Sequence, residues 1–414
     1  MTNSPTATAT ATDSRTFWRF WSASTVSRTG SNITAVALPL VAVSSLHATT
    51  LQVTLLAAAS QAAWLLLGLP AGVIVQKVPL RALQVTMDLV RVVAMGSIPV
   101  AWWLDRLTFG HLLLTALITG LATVLFDIAN STFLPALVSK DELTARNSLI
   151  SATEAVTQTG APSVSGLLIK IVGAVDVLVI DSVSYLMSAV TLWTLPERRP
   201  RPLPQVPVRA LIREGCAFVM RHPVMRPCVI WATVSNFFTA ALMALTPLYL
   251  VREVGASPTV VGLVIAADGA GSLIGSMVAT RLSAWVGTAR AMIVSGALGG
   301  ATALVIPMTT TLGNIGYFIV GNATVAMAVV IGSIVTRTHR QVESPPELLS
   351  RVMATVRFIS WGALPVGAFL SGVLADSLGL RTALWMVCAG FLLAPAVLMM
   401  STVRKLRDLS EVRV

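Results

Sequence analysis

The chain has 414 residues, of which 55% are hydrophobic and only 11% charged, and its mean hydropathy is +0.79. A soluble globular protein carries about a quarter charged residues, so this composition excludes one and requires a chain threaded repeatedly through a membrane. Three cysteines (Cys216, Cys228, Cys388) without a Cys-x-x-Cys and four histidines without ligand spacing give no basis for a metal centre, a disulfide framework or a cofactor.

In chain order, residues 1–16 form a Ser/Thr/Ala tail that is expected to be disordered and cytoplasmic. It lacks the basic start and cleavage site of a signal peptide, so the first helix is expected to stay in the mature protein. Residues 17–195 then hold six apolar segments, about 18–46, 51–75, 82–104, 110–136, 146–169 and 173–195. A linker follows at 196–227, opening with the proline- and arginine-rich run Glu197-Arg198-Arg199-Pro200-Arg201-Pro202. Within it Val208, Leu211, Ile212, Val219 and Met220 interleave with Arg209, Arg213, Glu214 and Arg221. That pattern predicts an amphipathic helix lying on the inner leaflet, read more readily as a tether than as a regulatory element. Six more segments occupy 228–403, about 228–251, 259–283, 289–308, 313–336, 352–375 and 380–403, before a cytoplasmic tail at 404–414. Each segment is long enough to cross the hydrocarbon as a helix, which takes about 20 residues.

Basic residues are retained on the cytoplasmic side. With both termini inside, 23 of the 29 Lys and Arg fall in cytoplasmic segments and four (Arg106, Lys170, Arg252, Arg381) in outer loops. The net charge of +11 is therefore an orientation signal, and no nucleic-acid partner is expected. Arg outnumbers Lys 25 to 4, the bias of a GC-rich bacterial genome, and the expected location is a bacterial inner membrane.

The two halves repeat one another. Ser139, Glu142, Leu143 and Arg146 recur 205 residues later as Ser344, Glu347, Leu348 and Arg351, while Ser165-Gly166 and Gly173 recur 206 later as Ser371-Gly372 and Gly379. Paired halves in a membrane chain point to two helical bundles around a shared site. Ser139-x-x-Glu142 and Ser344-x-x-Glu347 read as capping boxes that start spans 5 and 11.

Local motifs add a resemblance. Val36-Ala-Leu-Pro39-Leu40, Gly68-Leu-Pro70-Ala-Gly72, Met87-Asp88-Leu-Val-Arg91, Leu134-Pro135-Ala-Leu-Val138 and Arg357-Phe-Ile-Ser-Trp361-Gly-Ala-Leu-Pro365 together resemble the major facilitator superfamily. Within it they are most similar to the drug–proton antiporter branch of macrolide-efflux-like exporters. The resemblance implies an all-α fold of twelve transmembrane helices in two pseudo-symmetric six-helix bundles. It also implies proton-coupled efflux of a small lipophilic drug or natural product by alternating access, and a transporter rather than an enzyme, working as a monomer with protons and the lipid bilayer as partners. The span 2–3 loop, Gly72-Val-Ile-Val-Gln76-Lys77-Val-Pro-Leu-Arg81, carries Gln76 where the family has an acid. That departure implies a cytoplasmic latch that is weaker or rests on hydrogen bonds, and it keeps open a non-transporting sensor or scaffold. The exporter signature of span 5 survives only as Gly160-Ala-Pro162-Ser-Val-Ser165-Gly166, which keeps open a uniporter or importer.

Ionisable groups inside spans are costly in lipid and normally face a bundle interior. Glu154 shares a polar stripe with Ser151 and Gln158, and Arg28 one with Thr25, Thr29 and Asn32. Glu154, Asp268 and Arg28 are the proton-coupling candidates. A proton on Glu154 in one state and an Arg28 ion pair in the other would make a switch; the alternative is a permanent Arg28–Glu154 or Arg28–Asp268 pair. Gly72, Gln76, Lys77, Arg81, Asp88, Arg91 and Asp127 are assigned to a cytoplasmic gate, and Asp181 to structure. Asn32, Gln158, Asn236, Met243, Asn322 and Trp361 are the candidates for lining a substrate cavity.

Overall fold

The computed structural model describes residues 9–48, 50–197 and 207–411, and every regular element among them is helical. In chain order these are α1 (Ala9–Leu46), α2 (Thr50–Lys77), α3 (Leu80–Trp103), α4 (Phe109–Leu137), α5 (Leu143–Val172), α6 (Ala174–Trp193) and α7 (Val208–Arg221). Then come α8 (Met225–Arg252), α9 (Pro258–Val286), α10 (Thr288–Ala303), α11 (Gly316–Glu343), α12 (Leu349–Leu378), α13 (Leu380–Gly390) and α14 (Leu393–Met399). Among the described residues nine helices are long and apolar enough to cross a membrane, with Leu380–Met399 counted as one span. The remaining long helices are α1, α2 and α5.

Three glycines make the sharpest joints. Gly173, Gly287 and Gly379 sit at φ of 92°, 94° and 85°, each between the end of one span and the start of the next. A β-carbon is strained in that region and glycine is not, so the Gly173/Gly379 repeat marks a backbone device used in both halves.

Four expectations are corrected. The chain is helical from Ala9, so the disordered tail does not extend to residue 16, while residues 1–8 lie outside the described residues. Extending an existing helix needs no new nucleus, and the alanines here favour it. Second, neither capping box forms. Glu142 is the residue before α5 and makes no side-chain cap bond; the Ser139 hydroxyl donates to the Glu142 carboxylate at 3.3 Å inside a tight turn. Ser344 ends α11, five residues before α12 begins. Third, the twelfth span is interrupted between Gly390 and Leu393. Pro395 has no N–H for the Phe391 carbonyl, which accepts instead from the Ala394 amide at 3.3 Å. Fourth, α7 does not simply lie on lipid: Leu211 and Val219 are 2% and 0% exposed, buried by protein. Residues 198–206 of the linker lie outside the described residues.

Contacts divide the chain into two compact units. The first comprises Met1–Leu143, Gly160–Gly215 and Pro345–Thr355; the second comprises Thr144–Thr159, Cys216–Ser344 and Val356–Val414. In the first, α1 and α3 pack on α6, α2 on α4, and α3 on α4. Its core gathers Ile33, Ala37, Met95, Ile98, Leu112 and Tyr185. In the second, α8 packs on α13 and α14, α9 on α11, and α10 on α11, around Leu245, Tyr249, Phe318, Leu384 and Phe391. Numbering spans within each half, the pairings 1 with 6, 2 with 4 and 3 with 4 occur in both, so the sequence repeat is also a repeat of packing.

Candidate functional site: the ionisable groups of the spans

The first unit holds Asp88, Arg91, Arg28 and Asp127 in ion pairs and Asp181 on hydroxyl groups. Asp88 and Arg91, one turn apart on α3, are 0% and 2% exposed and form an ion pair at 3.0 Å. Ser27 of α1 donates to the Asp88 carboxylate at 3.4 Å, and the Arg91 guanidinium donates to the Ala122 carbonyl of α4 at 3.3 Å. That guanidinium lies 4.5 Å from the ring centre of Phe126 and 5.2 Å from that of Tyr185, so a cation is solvated here by a carboxylate, a carbonyl and two π faces. Tyr185 and Ser31 share a hydrogen bond at 2.9 Å. Asp181, 1% exposed, accepts from Thr34 and from Ser184. Arg28 reaches Asp127 at 3.4 Å, and Ser24 donates to Asn130 at 3.0 Å. Thus α1, α3, α4 and α6 are tied by one polar core. Asp88 and Arg91, expected in a gate, sit in that core.

The other expected gate residues are placed elsewhere in the same unit. Gly72 is a close-contact point: a β-carbon there would stand 2.8 Å from the Ala354 β-carbon and 2.9 Å from the Ser350 carbonyl oxygen, and the Ser350 hydroxyl donates to the Gly72 carbonyl at 2.7 Å. The Gln76 side-chain oxygen is buried with no hydrogen-bond partner among the described residues, and Lys77 is exposed. Arg81 donates to the Leu195 carbonyl at 2.9 Å and the Glu197 carboxylate at 3.0 Å, closing the end of α6. Sequence reasoning missed Arg351 as a functional group. It is 4% exposed, pairs with Glu214 of α7 at 2.5 Å and donates to the Glu347 carbonyl at 2.9 Å. Its signal was already present, since Arg351 is the repeat partner of Arg146.

The second unit contains a polar seam. The first half of α5 is stitched to α9 and α11 by Asn147, which donates to Gln341 at 2.6 Å and Thr338 at 3.0 Å. Ser148 meets Thr280 at 3.1 Å. Glu154 faces Arg337 at 3.9 Å. One further turn along, the backbone of Gly269 comes so close to Thr159 that a β-carbon would overlap its side chain. Next to that contact stands Asp268, half-buried. It has neither an ion pair nor a hydrogen bond among the described residues, so the cation expected beside it is not there. Asp268 is thus the one of these three candidates left without a counter-group.

The expected cavity residues divide. The Asn236 amide donates to the Ser360 carbonyl at 2.9 Å and the Asn322 amide to the Val264 carbonyl at 3.2 Å, so each joins two helices. Arg357 stacks over Trp361 at 4.1 Å. Asn32 is half-buried, Gln158 is exposed, and Met243 is 67% exposed. Outside the spans, His222 accepts at Nδ1 from the amides of Val224 and Met225, both at 3.2 Å, capping the start of α8. Burial pushes its imidazole below the ordinary value.

Long apolar helices repeating one packing scheme twice, with a buried ion pair in the core of the first unit, define a polytopic transporter of the major facilitator fold. Solved structures agree on that fold. An outward-facing bacterial homologue of the iron transporter ferroportin superposes with a TM-score of 0.76 at 17% identity, covering 93% of this chain and 98% of its own. The E. coli fucose–proton symporter gives 0.74 at 11% identity, covering 92% and 97%. The chain belongs to the transmembrane secretion effector family of this superfamily, which matches residues 6–413. Among curated proteins it is similar to the multidrug efflux pump Tap of Mycolicibacterium fortuitum, 25% identical over 370 residues that cover 85% of this chain and 87% of that protein.

Proposed function

We propose that this transporter exports a small lipophilic molecule across the bacterial inner membrane in exchange for protons, with both termini cytoplasmic and Asp268 as a proton-carrying group. The observation that carries the reading is the uncompensated Asp268 carboxylate inside an apolar span. Ionisable groups at such positions mark proton and substrate paths. A carboxylate with a fixed cation has little reason to change state, whereas one without a partner exchanges its proton as its surroundings change from wet to dry. The Glu154–Arg337 pair sits on the same seam at a loose 3.9 Å, and making or breaking it would couple α5 to α11. Export rather than import is supported by the likeness to an efflux pump.

The reading is tested in inverted membrane vesicles. On energisation, vesicles containing the protein should accumulate a fluorescent lipophilic drug above control vesicles, and an uncoupler should discharge it. Accumulation that persists with the uncoupler would remove proton coupling from the account.

A further inference from the structure

At the end of the second unit where α9 stops and α10 starts, the C-terminal segment is part of the fold. Ser401 to Glu411 makes two short 3-10 turns, and Leu409 is 1% exposed. The Thr288 amide donates to the Asp408 carboxylate at 2.8 Å, and the Ala289 amide to the Arg407 carbonyl at 3.0 Å. The segment therefore caps α10 and fixes its own arginines beside that helix.

Between them lies a groove of about 610 Å³ with Arg290, Arg404 and Arg407 on its walls, together with Trp285, Val294 and Met399. Arg290 and Arg404 are exposed and have no ion pair or hydrogen bond among the described residues. Arg407 reaches Asp408 only at 3.9 Å. The nearby acids are already engaged: Asp408 accepts from Thr288, and Glu411 accepts from the amides of Arg407 and Asp408, both at 3.2 Å. Immediately along α10, Val294 and Leu298, four residues apart, are 54% and 47% exposed on a span, and Trp285 is 80% exposed at the end of α9. Tryptophan marks the level of the membrane interface, and the exposed aliphatic row below it faces hydrocarbon.

We propose that this groove is a binding site for an anionic phospholipid, with the headgroup phosphate between Arg290 and Arg404 and an acyl chain along Val294 and Leu298. Charge complementarity selects the occupant: a zwitterionic headgroup would bring a second cation against the free guanidinium groups, whereas phosphatidylglycerol brings a net negative charge. Because the segment that supplies Arg404 also caps α10, an occupied groove would brace the end of the second unit.

The test uses the purified full-length protein and native mass spectrometry after incubation with phosphatidylglycerol or phosphatidylcholine. Phosphatidylglycerol should be retained preferentially. Arg290→Gln with Arg404→Gln should reduce its retention by about fivefold per arginine, from the typical attraction of one basic residue to an anionic surface. Both positions are exposed, so the fold should survive, and the corresponding double lysine variant should keep most of the preference. Arg252→Gln, an exposed arginine elsewhere, should leave it unchanged. Equal retention of the two lipids, or a double Gln variant that binds like the parent, would overturn the proposal. Full competition by inorganic phosphate at millimolar concentration would also overturn it, by showing a site for a free anion.

Discussion

The two units solve the problem of holding helices together in lipid by different means. Lipid tails are as apolar as leucine, so helices in a bilayer associate through close packing and polar contacts between them. The first unit relies on charge inside its spans: the buried Asp88–Arg91 pair at 3.0 Å and the part-buried Arg28–Asp127 pair at 3.4 Å. Close glycine approaches occur in the first unit too, at Gly72 for one, but the second relies on them at more positions. A β-carbon on Gly271 would overlap the Ala323 carbonyl, one on Gly275 would stand 2.7 Å from the Met327 carbonyl oxygen, and one on Gly367 would meet the Phe237 carbonyl. The difference teaches how to read an intramembrane charge. Where charges are the packing device, a paired carboxylate is scaffold; Asp268 stands on a helix whose packing device is glycine, and it has no pair.

The contrast yields an ordered set of expectations. The largest effect belongs to Arg91→Met, which leaves Asp88 uncompensated in a dry core; breaking one side of a buried pair costs about 3–5 kcal/mol. Thermal unfolding in detergent should show a large fall in midpoint or no monodisperse protein, and an unchanged midpoint would dissolve the distinction between the units. Next is Gly271→Val, which forces α9 and α11 apart and should cost at least about 1–3 kcal/mol as overpacking, measured in the same way. A tolerated valine there would mean that the second unit does not depend on this approach. Smallest is His222→Ala, which removes the cap on α8 and should cost about 1 kcal/mol. Because burial lowers this imidazole below its unfolded value of 6.5, its contribution is complete above that pH. It is lost as pH falls through the folded value, where the unfolded chain binds the extra proton. The variant's midpoint should therefore fall less than the parent's on acidification, and parallel profiles would remove His222 from the pH response.

The spans were legible in the sequence because hydrocarbon thickness imposes length and apolarity on each one separately. The Gly173 and Gly379 joints were legible for a similar reason, since both report a local backbone requirement that repeats with the fold. Pairings were not. Arg28 and Asp127 lie 99 residues apart, and nothing in either segment marks the two as partners. The capping boxes failed for a physical reason: Ser139 and Glu142 bond to each other within a turn, and a spacing rule does not separate that use from a helix cap. Asp181 was read as structural, and the bonds it accepts from Thr34 and Ser184 supply what that reading needs. Asn236 and Asn322 were chosen for the cavity, and each amide donates one bond to the backbone of a neighbouring helix. A sequence shows that a group is polar and deep, but its remaining hydrogen-bonding capacity depends on its neighbours.

The central claim, that the carboxylate with neither ion pair nor hydrogen bond carries the proton while the engaged ones hold the fold, is tested most directly by Asp268→Asn in vesicles. The variant is near-isosteric, should fold and unfold like the parent, and should retain downhill exchange of drug between the two sides. It should lose accumulation driven by a proton gradient. A variant that concentrates drug on energisation as well as the parent does would contradict the account.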